Sequence, residues 1–298
     1  MKERVNLSSW KSAKAEQRFR ELEDELLRDS GREQPVPVDV ETRLGPTRAY
    51  RWDGAGIAVV FLHGVAGTGL SWIGYAEHRG ARVAYAIDTI GDVGRSEQQV
   101  AVEGPDDLAE WLDTTLAALG VEHAHLVGTS YGGFLALNLA ARRPARVQSL
   151  VLIDTAGVLR ISIAKFLLWG VPVLFASLLP DRPRAWAAKR LRMPALEDKR
   201  LMRTAFYAQR NHRARQVRPE PLSDEQLRSI VQPTLMIQGA KSEMISAVDV
   251  KARVEALMPD VVVEVVPDAG HAVMLSAMDE IIVRMNAFQA DHDAEVAS

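Results

Sequence analysis

The chain runs to 298 residues, enough for one large α/β domain or two smaller ones and for a substantial buried core without covalent staples. Apolar residues make up 47% and charged residues 25%, and the net charge of −3 argues against a general nucleic-acid binder, which would carry a basic excess. With no cysteine, disulfide frameworks, thiolate nucleophiles and cysteine metal sites are all excluded.

The first ten residues carry charges with no apolar run behind them, so no signal peptide is expected. Residues 9–29 read as a helix capped by Ser8 or Ser9, with Phe19, Leu22, Leu26 and Leu27 near one face and charges opposite. Gly31 and Pro35 end it, and residues 1–35 are expected to form a peripheral helix and linker. From Val36 onward, β-rich runs appear at 36–42, 49–52, 57–62, 82–87, 124–127, 147–153, 233–238 and 261–266. Helical patterns lie between them at 106–119, 131–143, 247–257 and 279–289. Several of the runs are almost wholly apolar, as strands covered on both faces are, so a mostly parallel, doubly wound α/β sheet is expected from 36–155 and 233–290. The first two runs have no helix between them and turn around Gly45-Pro46, which predicts an antiparallel hairpin at one edge.

Residues 156–232 break this rhythm. They contain no convincing strand and several helical stretches punctuated by prolines, and read as a helical cap inserted between two late strands. Their most apolar part, FLLWGVPVLFASLLP at 166–180, is too short to span a membrane and is interrupted by Pro172, so no stable membrane insertion is expected and a cytoplasmic protein is the simplest reading. It is read either as the lining of an apolar acyl pocket or as packing of the cap on the body. Between Asp181 and Glu220 twelve Lys or Arg stand against four Asp or Glu, which reads first as a solvated helix face, second as a funnel for an anionic substrate, and last as a surface for a membrane or an acidic partner. Residues 291–298 are expected to be a flexible tail.

The chemistry centres on Gly128-Thr129-Ser130-Tyr131-Gly132-Gly133, between the strand run HLV and the helical run FLALNLAARR. A G-x-S-x-G in this setting makes a sharp strand-to-helix turn that lifts the Ser130 hydroxyl above the sheet as a nucleophile. Acyl transfer needs preorganised donors for a developing oxyanion, and the glycine-rich turn His63-Gly64-Val65-Ala66-Gly67 can supply the N–H of Val65, with the N–H of Tyr131 from the elbow. His63 reads as a structural hydrogen-bonding residue. His271, in Pro267-Asp268-Ala269-Gly270-His271 after the run VVVEVV, has the loop setting of the general base. The remaining histidines show no metal-ligand spacing, so neither a metal nor another cofactor is expected. An acid that orients the imidazole should fall between positions 130 and 271. Glu243, in the turn Gly239-Ala240-Lys241-Ser242-Glu243, is the first choice, and Asp154, at the end of SLVLI, is the alternative.

Together HGVAGTGLSW, AIDTIGDVGRSE, VGTSYGG, LVLIDTAG and PDAGHAVML resemble the α/β-hydrolase superfamily from about residue 38 to 288. Within it, WKSAKAEQRF, DTIGDVGRS and PDVVVEVVPDAGH are similar to bacterial carboxylesterases of the naproxen-hydrolysing type. The resemblance implies an α/β-hydrolase fold, Ser130 and His271 as catalytic residues, oxyanion donors at Val65 and Tyr131, and ester substrates. One departure stands out: the commonest superfamily pattern has the acid where this chain has Ser242, so Glu243 requires a turn one residue longer, whereas some members take the acid from the preceding strand, where Asp154 stands. The expected activity is that of a serine hydrolase, cleaving a small-molecule, apolar carboxylic ester through an acyl-enzyme on Ser130. A lactonase, thioesterase or C–C bond hydrolase would use the same groups, and a ligand-binding protein without turnover is the reading of another class. Partners are expected to be small molecules rather than nucleic acids, and a homo-oligomer is left open.

Overall fold

The β-branched runs become strands, and alternate residues of each strand feed opposite faces of one sheet. The structure is a computed structural model and describes residues 7–161 and 163–293. A two-residue strand, β1 (Ser9–Trp10), precedes helix α1 (Ala13–Asp29). Then come β2 (Val36–Val40), β3 (Thr47–Trp52), β4 (Ala55–Leu62), the short helix α2 (Ile73–Ala76), β5 (Arg82–Ile87), α3 (Pro105–Ala118), β6 (Ala124–Thr129), α4 (Tyr131–Arg142) and β7 (Val147–Ile153). Four helices, α5 (Ile163–Ser177), α6 (Asp181–Arg190), α7 (Lys199–Asn211) and α8 (Asp224–Ser229), and the two-residue strand β8 (His212–Arg213) separate β7 from β9 (Thr234–Gly239). The chain closes with α9 (Ala247–Leu257), β10 (Val261–Val266), α10 (Val273–Ser276) and α11 (Met278–Asp291).

The main sheet has eight strands in the order β10-β9-β7-β6-β4-β5-β3-β2. It is parallel from β10 to β5, while β2 pairs antiparallel with β3 and β3 antiparallel with β5, which makes the expected edge hairpin. Leu62, Leu126, Leu150 and Leu152 enter one apolar core with residues of α3, α4 and α9. Their neighbours Phe61, Val127, Val151 and Ile153 enter a second core with α2 and α11 on the opposite face. This period-two division explains why the central runs carry no polar alternation: both faces are covered. The cap lies in the β7–β9 connection.

Three expectations about the ends change. Ser12, not Ser8 or Ser9, caps α1, accepting from the Ala15 N–H at 3.1 Å, while Ser9–Trp10 pairs with His212–Arg213. The cap thus does contain a strand; its partner lies about 200 residues away, so no local pattern could announce it. Of the expected tail 291–298, Asp291 completes α11 and Asp293 binds Arg82 and, at 3.0 Å, His125 Nε2; residues 294–298 lie outside the described residues.

Candidate active site

Strand β6 ends at Thr129, and the chain reverses into α4 through Ser130, whose φ of 49° and ψ of −112° place a non-glycine residue in a costly backbone conformation. Its neighbours hold it there. The Ser130 N–H donates to Ile153 O at 3.1 Å, and Ser130 O accepts from the Ala156 N–H at 3.0 Å and the Phe134 N–H at 3.2 Å. Glycine is required at two flanking positions by close approach: a Cβ on Gly132 would lie 2.0 Å from Leu62 O, and one on Gly133 would lie 1.8 Å from Thr155 Oγ1. The elbow is therefore wedged between the ends of β4 and β7.

His271, on the loop after β10, sets Nε2 3.2 Å from Ser130 Oγ. Its Nδ1 faces Asp154 Oδ2 at 2.6 Å. Asp154 follows β7 directly, is fully buried and has φ 43°, and its N–H continues the ladder to Ile237 O at 2.8 Å. The Ser242 hydroxyl donates to the same Oδ2 at 2.8 Å, so a serine occupies the commonest acid position and braces the carboxylate that comes from the neighbouring strand end.

The first choice for the orienting acid, Glu243, is placed differently. Its carboxylate accepts from the backbone N–H of His271 at 3.3 Å and lies 3.9 Å from the Arg192 guanidinium, while Asp154 occupies the Nδ1 side of the ring. The turn after β9 is not lengthened, since the Ser242 N–H closes it on Gly239 O at 3.1 Å. With Ser242 pointing towards Asp154, the next side chain is directed to the Gly270–His271 backbone instead.

The turn after β4 lies against the elbow: a Cβ on Gly64 would sit 3.4 Å from Ser130 Cβ. The Gly67 N–H donates to Gly64 O at 3.1 Å, with Ala66 at φ 60°. Neither the Val65 N–H nor the Tyr131 N–H donates to a protein acceptor among the described residues. Tyr131 is the first residue of α4, where backbone N–H groups have no partner within the helix and the helix dipole is positive. His63 is held by backbone on both sides, with Nε2 accepting from the Thr89 N–H at 2.9 Å and Nδ1 2.8 Å from Gly64 O.

Asp92 was not singled out in the sequence. It is buried, and its Oδ2 accepts from the Ala66 N–H and from Gln216 Nε2, both at 2.9 Å, while Oδ1 accepts from the Val93 N–H at 2.7 Å. Burial raises its pKa to about 6 against the opposing pull of His63 and these donors. Its only sequence signal was the second aspartate of DTIGD, which nothing local separates from a turn residue. Among the described residues no group of three or more His, Asp or Glu is placed to hold a metal ion, and no helix is long and apolar enough to cross a membrane.

Residues 57–277 match the family model described as the alpha/beta hydrolase fold. The chain belongs to the α/β-hydrolase family. Among its relatives, carboxylesterase YbfK of Bacillus subtilis is 27% identical over 242 residues, covering 78% of this chain and 79% of that protein. The uncharacterized carboxylesterase nap of the same organism is 25% identical over 243 residues, covering 77% and 78%. The crystal structure of naproxen esterase (carboxylesterase NP) from Bacillus subtilis superposes with a TM-score of 0.79 at 22% identity, covering 93% of this chain and 99% of that one, and so has the same fold.

Proposed function

We propose that this α/β-hydrolase is a serine hydrolase that cleaves carboxylic esters through an acyl-enzyme on Ser130. The observation that carries the proposal is the relay from Ser130 Oγ through His271 Nε2 and Nδ1 to the buried Asp154 carboxylate, at 3.2 and 2.6 Å. Asp154 selects the tautomer in which Nδ1 bears the proton, so that Nε2 faces Ser130 Oγ with its lone pair. As Ser130 Oγ attacks the ester carbonyl, His271 takes its proton and the charge on the carbonyl oxygen is met by the N–H groups of Val65 and Tyr131. The imidazolium, stabilised by Asp154, then protonates the departing alcohol. Water repeats the sequence on the acyl-enzyme and releases the acid. The carboxylesterase names of the relatives at 25–27% identity over about four fifths of the chain support ester rather than other acyl substrates.

The contact of Asp154 with His271 Nδ1 supports turnover over the alternative of a ligand-binding protein. The test is hydrolysis of p-nitrophenyl esters together with fluorophosphonate labelling. Wild type is expected to turn over and to label, and Ser130→Ala should lose label and at least about 10³-fold in kcat. Turnover that survives in Ser130→Ala would remove Ser130 from the mechanism, and a wild type that neither labels nor turns over would overturn the hydrolase reading.

A further inference from the structure

Much of the described part of the apolar run in the cap is open to solvent. On α5, Leu168, Val171, Leu174 and Phe175 follow helical spacing along one side and are exposed, Leu168 at 77% and Phe175 at 66%. Leu178 and Leu179 extend this surface through the turn into α6. The side of α5 that is covered rests on a small separate cluster, Ala176 with Ala187, Ala188 and Leu196, to which Val173 adds. The side chains at 163, 166, 167 and 169 lie outside the described residues and take no part in the argument.

Helix α6 runs on from this surface with a different chemistry. Ala187 and Ala188 face inward, while Arg182, Trp186, Lys189 and Arg190, spaced i, i+4, i+7 and i+8, share the solvent side, with Trp186 69% exposed. Arg182, Lys189, Arg190 and also Lys165 of α5 have no ion-pair partner among the described residues. The one acidic residue of α6, Asp181, is already held by Arg184 and Lys199. An exposed apolar stripe of this size marks an interaction site in a soluble fold. Adjoining unpaired cations and an exposed tryptophan specify its partner further, as a surface with an apolar interior and anionic headgroups.

We propose that the α5–α6 face of the cap docks on anionic lipid bilayers, with the apolar stripe entering the headgroup region and the α6 cations lying among the phosphates. A second copy of the chain fits less well, because a two-fold contact through this face would bring two sets of unpaired cations into one interface. The docking face stands beside the site, since Arg192, two residues beyond α6, reaches Glu243 next to His271. The inference goes beyond the ester-hydrolase reading and is measured without turnover, so the two can fail separately.

The experiment is co-sedimentation of the full chain with phosphatidylcholine vesicles, with and without phosphatidylglycerol, at low and high salt. Binding is expected on the anionic vesicles, falling by on the order of tenfold or more on neutral vesicles or at high salt. Arg182→Gln with Lys189→Gln should weaken anionic binding by on the order of tenfold or more. Leu168→Ser with Phe175→Ser should remove binding at any salt, while hydrolysis of a short water-soluble ester stays at the wild-type rate. Circular dichroism checks that each variant is folded, and the cation pair keeps the test open if the apolar pair is not. No partition onto anionic vesicles at low salt overturns the proposal. So does vesicle binding that both pairs leave unchanged, or a monomer–dimer equilibrium in sedimentation velocity that the apolar pair abolishes while vesicle binding persists.

Discussion

Two carboxylates stand next to His271 and bond to different parts of it, Asp154 to the ring Nδ1 and Glu243 to the backbone N–H. Only the first is placed to set the tautomer and stabilise the imidazolium, so the two should separate cleanly on substitution. Asp154→Asn is expected to lower kcat by about 10³- to 10⁴-fold, the loss typical of a triad acid, and Glu243→Gln by less than about tenfold. Both are read from kcat on one ester at a single pH; a collapse in Glu243→Gln with Asp154→Asn near wild type would reverse the assignment. Ser130 and His271 were legible in the sequence because each combines a reactive side chain with a loop whose glycines and flanking strand are local. The acid was not. Asp154 and His271 are 117 residues apart, and their meeting depends on the ends of β7 and β10 sharing one edge of the sheet. The turn after β9 offered a carboxylate beside the commonest position, and only its closure on Gly239 shows that Ser242, not Glu243, points inward.

At the scale of elements, the turn that presents Val65 is not self-supporting. Asp92, in the loop after β5, ties it at Ala66 and reaches Gln216 between β8 and α8 of the cap, so one buried carboxylate joins three parts of the chain. Asparagine would keep the volume but turn an NH2 towards donors that need an acceptor. Asp92→Asn is therefore expected to lower kcat by about tenfold with KM nearly unchanged, less than the 10²–10³ seen when an oxyanion donor is removed outright. Steady-state kinetics decide it, and a rise in KM at constant kcat would move Asp92 from positioning the turn to binding the substrate. Element-level legibility followed the same divide. The central strands carry unbroken apolar runs, and α3, α4, α9 and α11 period-3.6 faces, long enough to recognise, whereas β1 and β8, at two residues each, have no pattern. The apolar segment of the cap was recognisable as helical, but which side of α5 would be covered depends on α6, and the structure covers the alanine side.

Across the whole molecule, α1 is less peripheral than its charged composition suggested. It packs on α7, and Asp29 and Glu25 pair with Arg200 and Arg203 of that helix. Towards the core, Arg95, in the loop after β5, reaches Asp24 and the buried Glu23. Within the segment 1–35, expected as a peripheral helix and linker, α1 thus straps the cap to the core, and β1 adds two residues of pairing with β8. The sequence showed Glu23 beside Leu22 but could not show that both are buried. Burial, reinforced by the nearby Asp88, pushes the Glu23 carboxyl up to about 8, against the pull of Arg95. Because the folded chain then holds this proton more tightly than the unfolded chain, whose glutamate titrates near 4.5, Glu23 contributes stability in full below about pH 4.5 and loses it as pH rises towards 8. Glu23→Gln keeps the shape without the ionisation, so its melting temperature relative to wild type should climb steadily between about pH 5 and pH 9. The difference between the two melting curves isolates this group from all others that titrate in the same window. A difference that stays flat, or falls as the pH rises, would mean that Glu23 is ionised in the folded protein and that Arg95 outweighs its burial.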